Sequence, residues 1–226
     1  MSKRVSRKDR VLFAYSRSKD VIERVMAEWA ENFANTLTLQ RGKWLPLRLP
    51  NHSRQLLEAT LDLEDGMKIV AFYGHGDEAS GDMSDADETA AIDADNLDQF
   101  QGTHVWGMCC HAGKLLGAHG ERAGLKGFFG FMDEVHLGFR SLNGTDDDLE
   151  VYDGFENWAA DGLQTLLETD CPESSARSLR EGAVDWSFAS LVTFLEALSQ
   201  GDLPESMAAF QSALAFSWNS SIVRSS

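Results

Sequence analysis

Cysteine is scarce in this chain: three residues in 226, two of which, Cys109 and Cys110, are neighbours. That supply cannot build a paired disulfide framework, so the fold must rest on burial, and the chain is expected in a reducing compartment, the cytoplasm. There a cysteine is kept for packing, metal or catalysis. Proline is also sparse, at four. No Pro/Ser-rich linker and no internal repeat divides the sequence, so residues 1–226 are expected to form a single domain, with 1–10 as a flexible basic tail. No apolar run approaches the ~18 residues that a membrane span requires. The segment from Met1 to Arg10 is basic but lacks the apolar stretch of a signal peptide. Basic residues are outnumbered 20 to 36 by acidic ones, giving a formal net charge of −16. This balance argues against nucleic acid, whose phosphates attract basic faces. It favours solubility and leaves acid available to face a basic substrate.

What is present is a hydrophobic fraction of 43%, enough to fill a core. Residues 11–15 form a short apolar run and are expected as a buried strand. Ser18 can cap a helix in which Val21, Ile22, Val25, Met26, Trp29 and Phe33 share one face. A second helix is expected over about 53–62. The strand at 67–73 runs directly into Gly74-His75-Gly76, and an acidic loop follows at 77–95. Asp95 is placed to cap a short helix at 96–100. A third strand, 104–108, ends at Cys109-Cys110; a helix starts near His111, with Gly120 and Gly124 marking its end. The fourth strand covers 125–131, with Asp133 and Glu134 just beyond it. Helical spacing dominates the last third, at 155–168, 186–198 and 207–218, the last preceded by Pro204. Alternating strands and helices predict an α/β fold: a mostly parallel sheet flanked by helices, with a helical C-terminal third.

In an open parallel sheet, ligands bind beyond the carboxyl ends of the strands. His75, Cys110 and the pair Asp133–Glu134 each follow a strand, so neighbouring strands would bring all of them to one crevice. A thiolate is the strongest ordinary nucleophile near neutral pH, and a helix N-terminus lowers a thiol's pKa. The same N–H groups, from Cys110 onward, could hold an oxyanion, and the Gly76 N–H could supply a second donor. Gly74 and Gly76 let the backbone around His75 bend and approach a substrate. A buried cysteine is usually a small hydrophobe, a role open to Cys109. A zinc site drawn from His75, His104, Cys109, Cys110 and His111 lacks any ligand spacing. The loop acids Asp77, Glu78, Asp82, Asp85, Asp87 and Glu88 lack the order of a calcium loop. No metal and no other cofactor is expected.

Phe72-Tyr73-Gly74-His75-Gly76 and Met108-Cys109-Cys110-His111-Ala112-Gly113 resemble the paired signatures of the caspase-like cysteine peptidases. The Cys-Cys-His-Ala-Gly run is close to the metacaspase form. The short interval between the two motifs, the helical C-terminal third and Gly127-Phe128-Phe129-Gly130-Phe131-Met132 resemble the compact CHAT type. The resemblance covers roughly residues 11–135. It implies a cysteine endopeptidase with His75 and Cys110 catalytic, and with the backbone of Gly76 and Cys110 at the oxyanion. It also implies a substrate-binding acid at Glu134 that receives a basic side chain, with Asp133 able to substitute. The partners it implies are a protein or peptide substrate in a cell-death or defence setting and an activating partner protein. Two departures stand out. Metacaspases carry an Asp two residues before the nucleophile, where this chain has Met108. Arg17 would suit the anionic-substrate pocket of caspases, but Asp133 and Glu134 would oppose it. The acidic balance favours cleavage after Arg or Lys. Two alternatives stay open: a catalytically inactive caspase-like interaction module, and another α/β fold that uses the cysteine in acyl-transfer or redox chemistry.

Overall fold

The computed structural model describes residues 9–16, 21–40, 44–64, 66–84, 87, 89–141, 149–151 and 154–226, with only the backbone of 140, 141, 149 and 150. Ser18, Arg17, Asp85 and Glu88 lie outside the described residues, as do 1–8 of the expected tail. The elements run β1 (Asp9–Tyr15), α1 (Val21–Leu39), β2 (Trp44–Pro50), α2 (Arg54–Leu63), β3 (Met67–Tyr73), β4 (His75–Gly76), β5 (Met83–Ser84), β6 (Ala90–Ile92), a 3-10 turn (Leu97–Phe100), β7 (His104–Met108), α3 (Ala112–Ala123) and β8 (Gly127–Phe131). After them come β9 (Phe139–Ser141), β10 (Leu149–Val151), α4 (Phe155–Thr169), α5 (Pro172–Gln200), α6 (Leu203–Ile222) and β11 (Val223–Ser225).

Six strands form one sheet in the order β11-β8-β7-β3-β1-β2. All neighbours are parallel except β11, which runs antiparallel to β8 at the edge. The central strands are near-continuous apolar runs because both faces of the sheet are covered. On one face Phe13, Tyr73, Trp106 and Phe129 join Trp158 of α4 and Phe216 of α6 in one core. On the other, Leu12, Val70, Phe72 and Val105 pack with Leu57 of α2 and Leu115 and Leu116 of α3. The α/β architecture with a mostly parallel sheet and a helical C-terminal part is therefore as expected.

Several boundaries differ for physical reasons. Asp9 and Arg10 belong to β1 and not to a flexible tail: Arg10 bonds to Gly66 through its backbone and pairs with Glu64 at 2.9 Å. Strand β2 lies outside the expected strands because Pro46 and Pro50 interrupt its sequence. Among the described residues only β1 flanks it, and an outer edge tolerates proline. Helix α5 begins fourteen residues earlier than its large apolar side chains suggest. Its first half buries Pro172, Ser175, Ala176, Leu179 and Ala183, a helical face built mostly from small residues. Gly162 of α4 permits this approach, since a Cβ there would sit 2.5 Å from Leu179. The buried face of α1 is also rotated from the expected one. Ile22 is exposed, and the acid Glu23 lies under the protein surface with Met26, Ala30 and Phe33.

Candidate active site at the carboxyl rim of the sheet

Strands β3 and β7 are direct neighbours, with Tyr73 opposite Met108. Two residues past that pair, the chains deliver His75 and Cys110 to the same rim. They touch through backbone: a Cβ on Gly76 would fall 1.6 Å from the Cys110 carbonyl oxygen. No other residue type fits at Gly76. Strand β4 then turns into a small antiparallel sheet with β5 and β6. Asp77 donates its N–H to the Asp82 carbonyl. Because antiparallel pairs alternate, the Gly76–Met83 pair is the one without hydrogen bonds, so the Gly76 N–H points away from β5.

His75 is half exposed, and its Nε2 lies 3.2 Å from Oε1 of Glu23, whose side chain is only 2% exposed. Glu23 sits in the first turn of α1, where the positive end of the helix favours a carboxylate. Sequence reasoning passed over it because an acid at a helix start is ordinary. The signal was its spacing: Glu23, Met26, Ala27, Ala30 and Ala34 recur on one face, which makes that acid a buried one.

Cys110 is partly buried, and Cys109 points the other way into the α3 core. His111 follows in the left-handed region at φ 58°, a conformation that costs a non-glycine residue about 1 kcal/mol. It turns the chain so that α3 starts at Ala112, leaving the sulfur ahead of the helix. Burial pushes the Cys110 thiol above its ordinary value. The Val135 N–H, donated to Sγ at 3.3 Å, opposes this, and the carboxylates of Glu134 and Asp133 add to it. The expected lowering by the helix N-terminus therefore does not prevail. A free thiolate is disfavoured here unless a base takes its proton.

Asp133 and Glu134 follow β8, the neighbour of β7 on its other side. Both are exposed at the rim. The segment 132–137 folds back as a strap over the sulfur. His111 donates its N–H to the Asp133 carbonyl at 3.2 Å, and the Asp133 carboxylate accepts the Glu134 N–H. Helix α6 holds the strap from outside. Trp218 donates its indole N–H to the Glu134 carbonyl at 2.9 Å, and Asn219 accepts from the His136 N–H and donates to its carbonyl. Trp218 and Asn219 lie 84 and 83 residues from these partners, so nothing local in the sequence announced them.

The rim thus gathers His75, Gly76, Cys110, Asp133 and Glu134, and adds Glu23, Val135, Trp218 and Asn219. His104 is not among them: it begins β7 at the opposite end of the sheet. Among the described residues, no three His, Cys, Asp or Glu side chains gather as metal ligands would. Asp77 of the acidic loop spends its carboxylate on the N–H groups of Ala79 and Ser80 and on the Ser80 hydroxyl. Among the described residues, no helix is long and apolar enough to cross a membrane. No protein-family model matches the chain, and no curated protein matches it.

Proposed function

We propose that this protein is a caspase-like cysteine endopeptidase that acts in the cytoplasm on a protein substrate, cutting after Arg or Lys, with Cys110 as nucleophile and His75 as acid–base partner. The observation that carries the reading is the approach of Gly76 to the Cys110 backbone, which ties the two strand-end motifs to one rim. Because burial keeps the thiol protonated, His75 takes the proton as sulfur attacks the scissile carbonyl. The N–H groups of Gly76 and Cys110 receive the oxyanion. His75 then protonates the departing amine and later draws a proton from water, which hydrolyses the thioester. Glu23 lies 3.2 Å from Nε2, which leaves Nδ1 to meet the substrate, and the acid acts on the ring without touching the reacting atoms. Glu134 and Asp133, beside the sulfur, receive the substrate's cation.

The test is covalent labelling by an arginyl acyloxymethyl ketone. Wild type and Cys109→Ala label at position 110, Cys110→Ala does not, and an aspartyl probe labels more slowly than the arginyl one. A second reading, an inactive caspase-like interaction module, draws on the raised thiol and its acidic neighbours. It predicts that wild type labels no faster than a free cysteine in a peptide.

A further inference from the structure

Helices α5 and α6 form an antiparallel hairpin whose inner seams are small: Ala183, Ser190 and Ala197 on α5, and Ala209 and Ala213 on α6, are buried. The outer seams are large and apolar. On α5, Val184, Phe188, Leu191 and Leu195 are 38–69% exposed. On α6, Leu203, Met207, Phe210 and Leu214 are 39–61% exposed. Both sets recur in steps of four, three and four residues, the seam spacing of a helix built to meet another helix. An aromatic side chain buries on the order of 150–250 Å² and an aliphatic one less, so these eight, about half exposed, leave on the order of several hundred Å² open. Isolated exposed apolar residues are ordinary in a folded protein; a contiguous patch of this size marks an interaction site.

Charge selects the occupant. From residue 181 to 223 there are five acids, Glu181, Asp185, Glu196, Asp202 and Glu205, and no Lys or Arg. Glu181, Asp185 and Glu196 are exposed, and their spacing of four and eleven places them on one ridge along the outer seam of α5. A second copy would bring this ridge against its own kind, on a chain whose net charge is already −16. We propose that the α5–α6 face docks an amphipathic helix of a partner protein, with an apolar seam flanked by Lys and Arg. This stands apart from the peptidase reading, since none of these residues belongs to the Cys110 rim. At its far end the face meets that rim: Trp218, four residues beyond Leu214, lines with His136 and Leu137 a cleft of 660 Å³ beside the strap.

The probes are synthetic helices of about three heptads with Leu at the seam positions and either Lys or Glu elsewhere. Titrated against the full chain by fluorescence anisotropy, the Leu/Lys helix is expected to bind saturably, one to one, and about tenfold or more tighter than the Leu/Glu helix. Leu195→Asp and Met207→Asp are each expected to weaken that binding by about tenfold. Leu195→Ser with an unchanged thermal melt guards against a folding artefact and weakens it too. The proposal is overturned if the Leu/Lys helix does not bind, if the two helices bind alike, or if the substitutions leave binding unchanged. It is equally overturned if sedimentation reveals a concentration-dependent dimer that Leu195→Asp abolishes, which assigns the face to a second copy.

Discussion

Among the described residues, a histidine–carboxylate pair at each rim of the sheet, His75–Glu23 at one and His104–Asp170 at the other, is the mirror image of its counterpart in burial. At the carboxyl rim the acid is hidden and the ring is offered: Glu23 is 2% exposed and His75 47%. At the amino rim the ring is hidden and the acid is offered: His104 is 2% exposed and Asp170 55%, with Nε2 and Oδ1 2.9 Å apart. Asp170 also holds Lys126. A buried ring with a fixed acceptor serves to tie β7 to the end of α4. A buried acid under an exposed ring leaves that ring facing outward, as the proposed mechanism requires. Residue type alone does not separate the two uses; which partner faces water does.

Substitutions at the two rims can break this contrast. The largest effect is expected from Gly76→Ala, because a Cβ at 1.6 Å from the Cys110 carbonyl forces the two strand ends apart. Labelling of Cys110 by the arginyl probe should slow by about a hundredfold or more, since loss of geometry at reacting atoms is costly. A rate within a few fold of wild type removes the shared rim. Next comes Glu23→Gln, which leaves a neutral partner for His75. The labelling rate should fall by about ten- to a hundredfold with little change in melting temperature, and the His75 ring nitrogens should lose their fixed tautomer in 15N NMR. A purely structural Glu23 would instead lower the melting temperature and leave the tautomer alone.

At the other rim, Asp170→Ala strands the buried His104 ring and places alanine at φ 55°. It should cost about 2–3 kcal/mol in urea unfolding while Cys110 labels at the wild-type rate once folded. Slowed labelling of the folded variant would join the two rims and defeat the comparison. The smallest effect is on acid stability. Burial, opposed by Asp170, holds the His104 ring below its ordinary 6.5. The unfolded chain therefore takes up this proton before the folded one does. Its contribution is complete above about pH 6.5 and declines as the pH falls below that value. Asp170, kept below its ordinary 3.8 chiefly by Lys126, stays ionised through that window. Melts from pH 8 to 5 should fall more steeply in wild type than in His104→Asn; parallel curves would remove the effect from His104.

Much of the fold was legible because its signals are local. Strands β3 and β7 matched their apolar runs residue for residue, and Gly124, at φ 77°, closed α3 where a left-handed cap is needed. The illegible parts share a cause. Strand β2 is held by a neighbour that excuses its prolines, the first half of α5 by small residues that fit against Gly162, and β11 by pairing with β8 nearly a hundred residues away. At the site, His75, Gly76 and Cys110 stood out because glycine beside a polar strand end is unusual. Glu23, Trp218 and Asn219 did not, since their residue types and positions are unremarkable along the chain.

Periodicity and strand-end chemistry thus determined the α/β alternation, the covered parallel sheet and the residues delivered to its carboxyl rim, because each depends on a few adjacent side chains. Strand order, the burial of Glu23 behind His75, the strap that α6 presses over Cys110 and the upward push on its thiol were decided only by the tertiary structure. Each of these depends on which distant surfaces exclude water together, and that is a property of the packed chain.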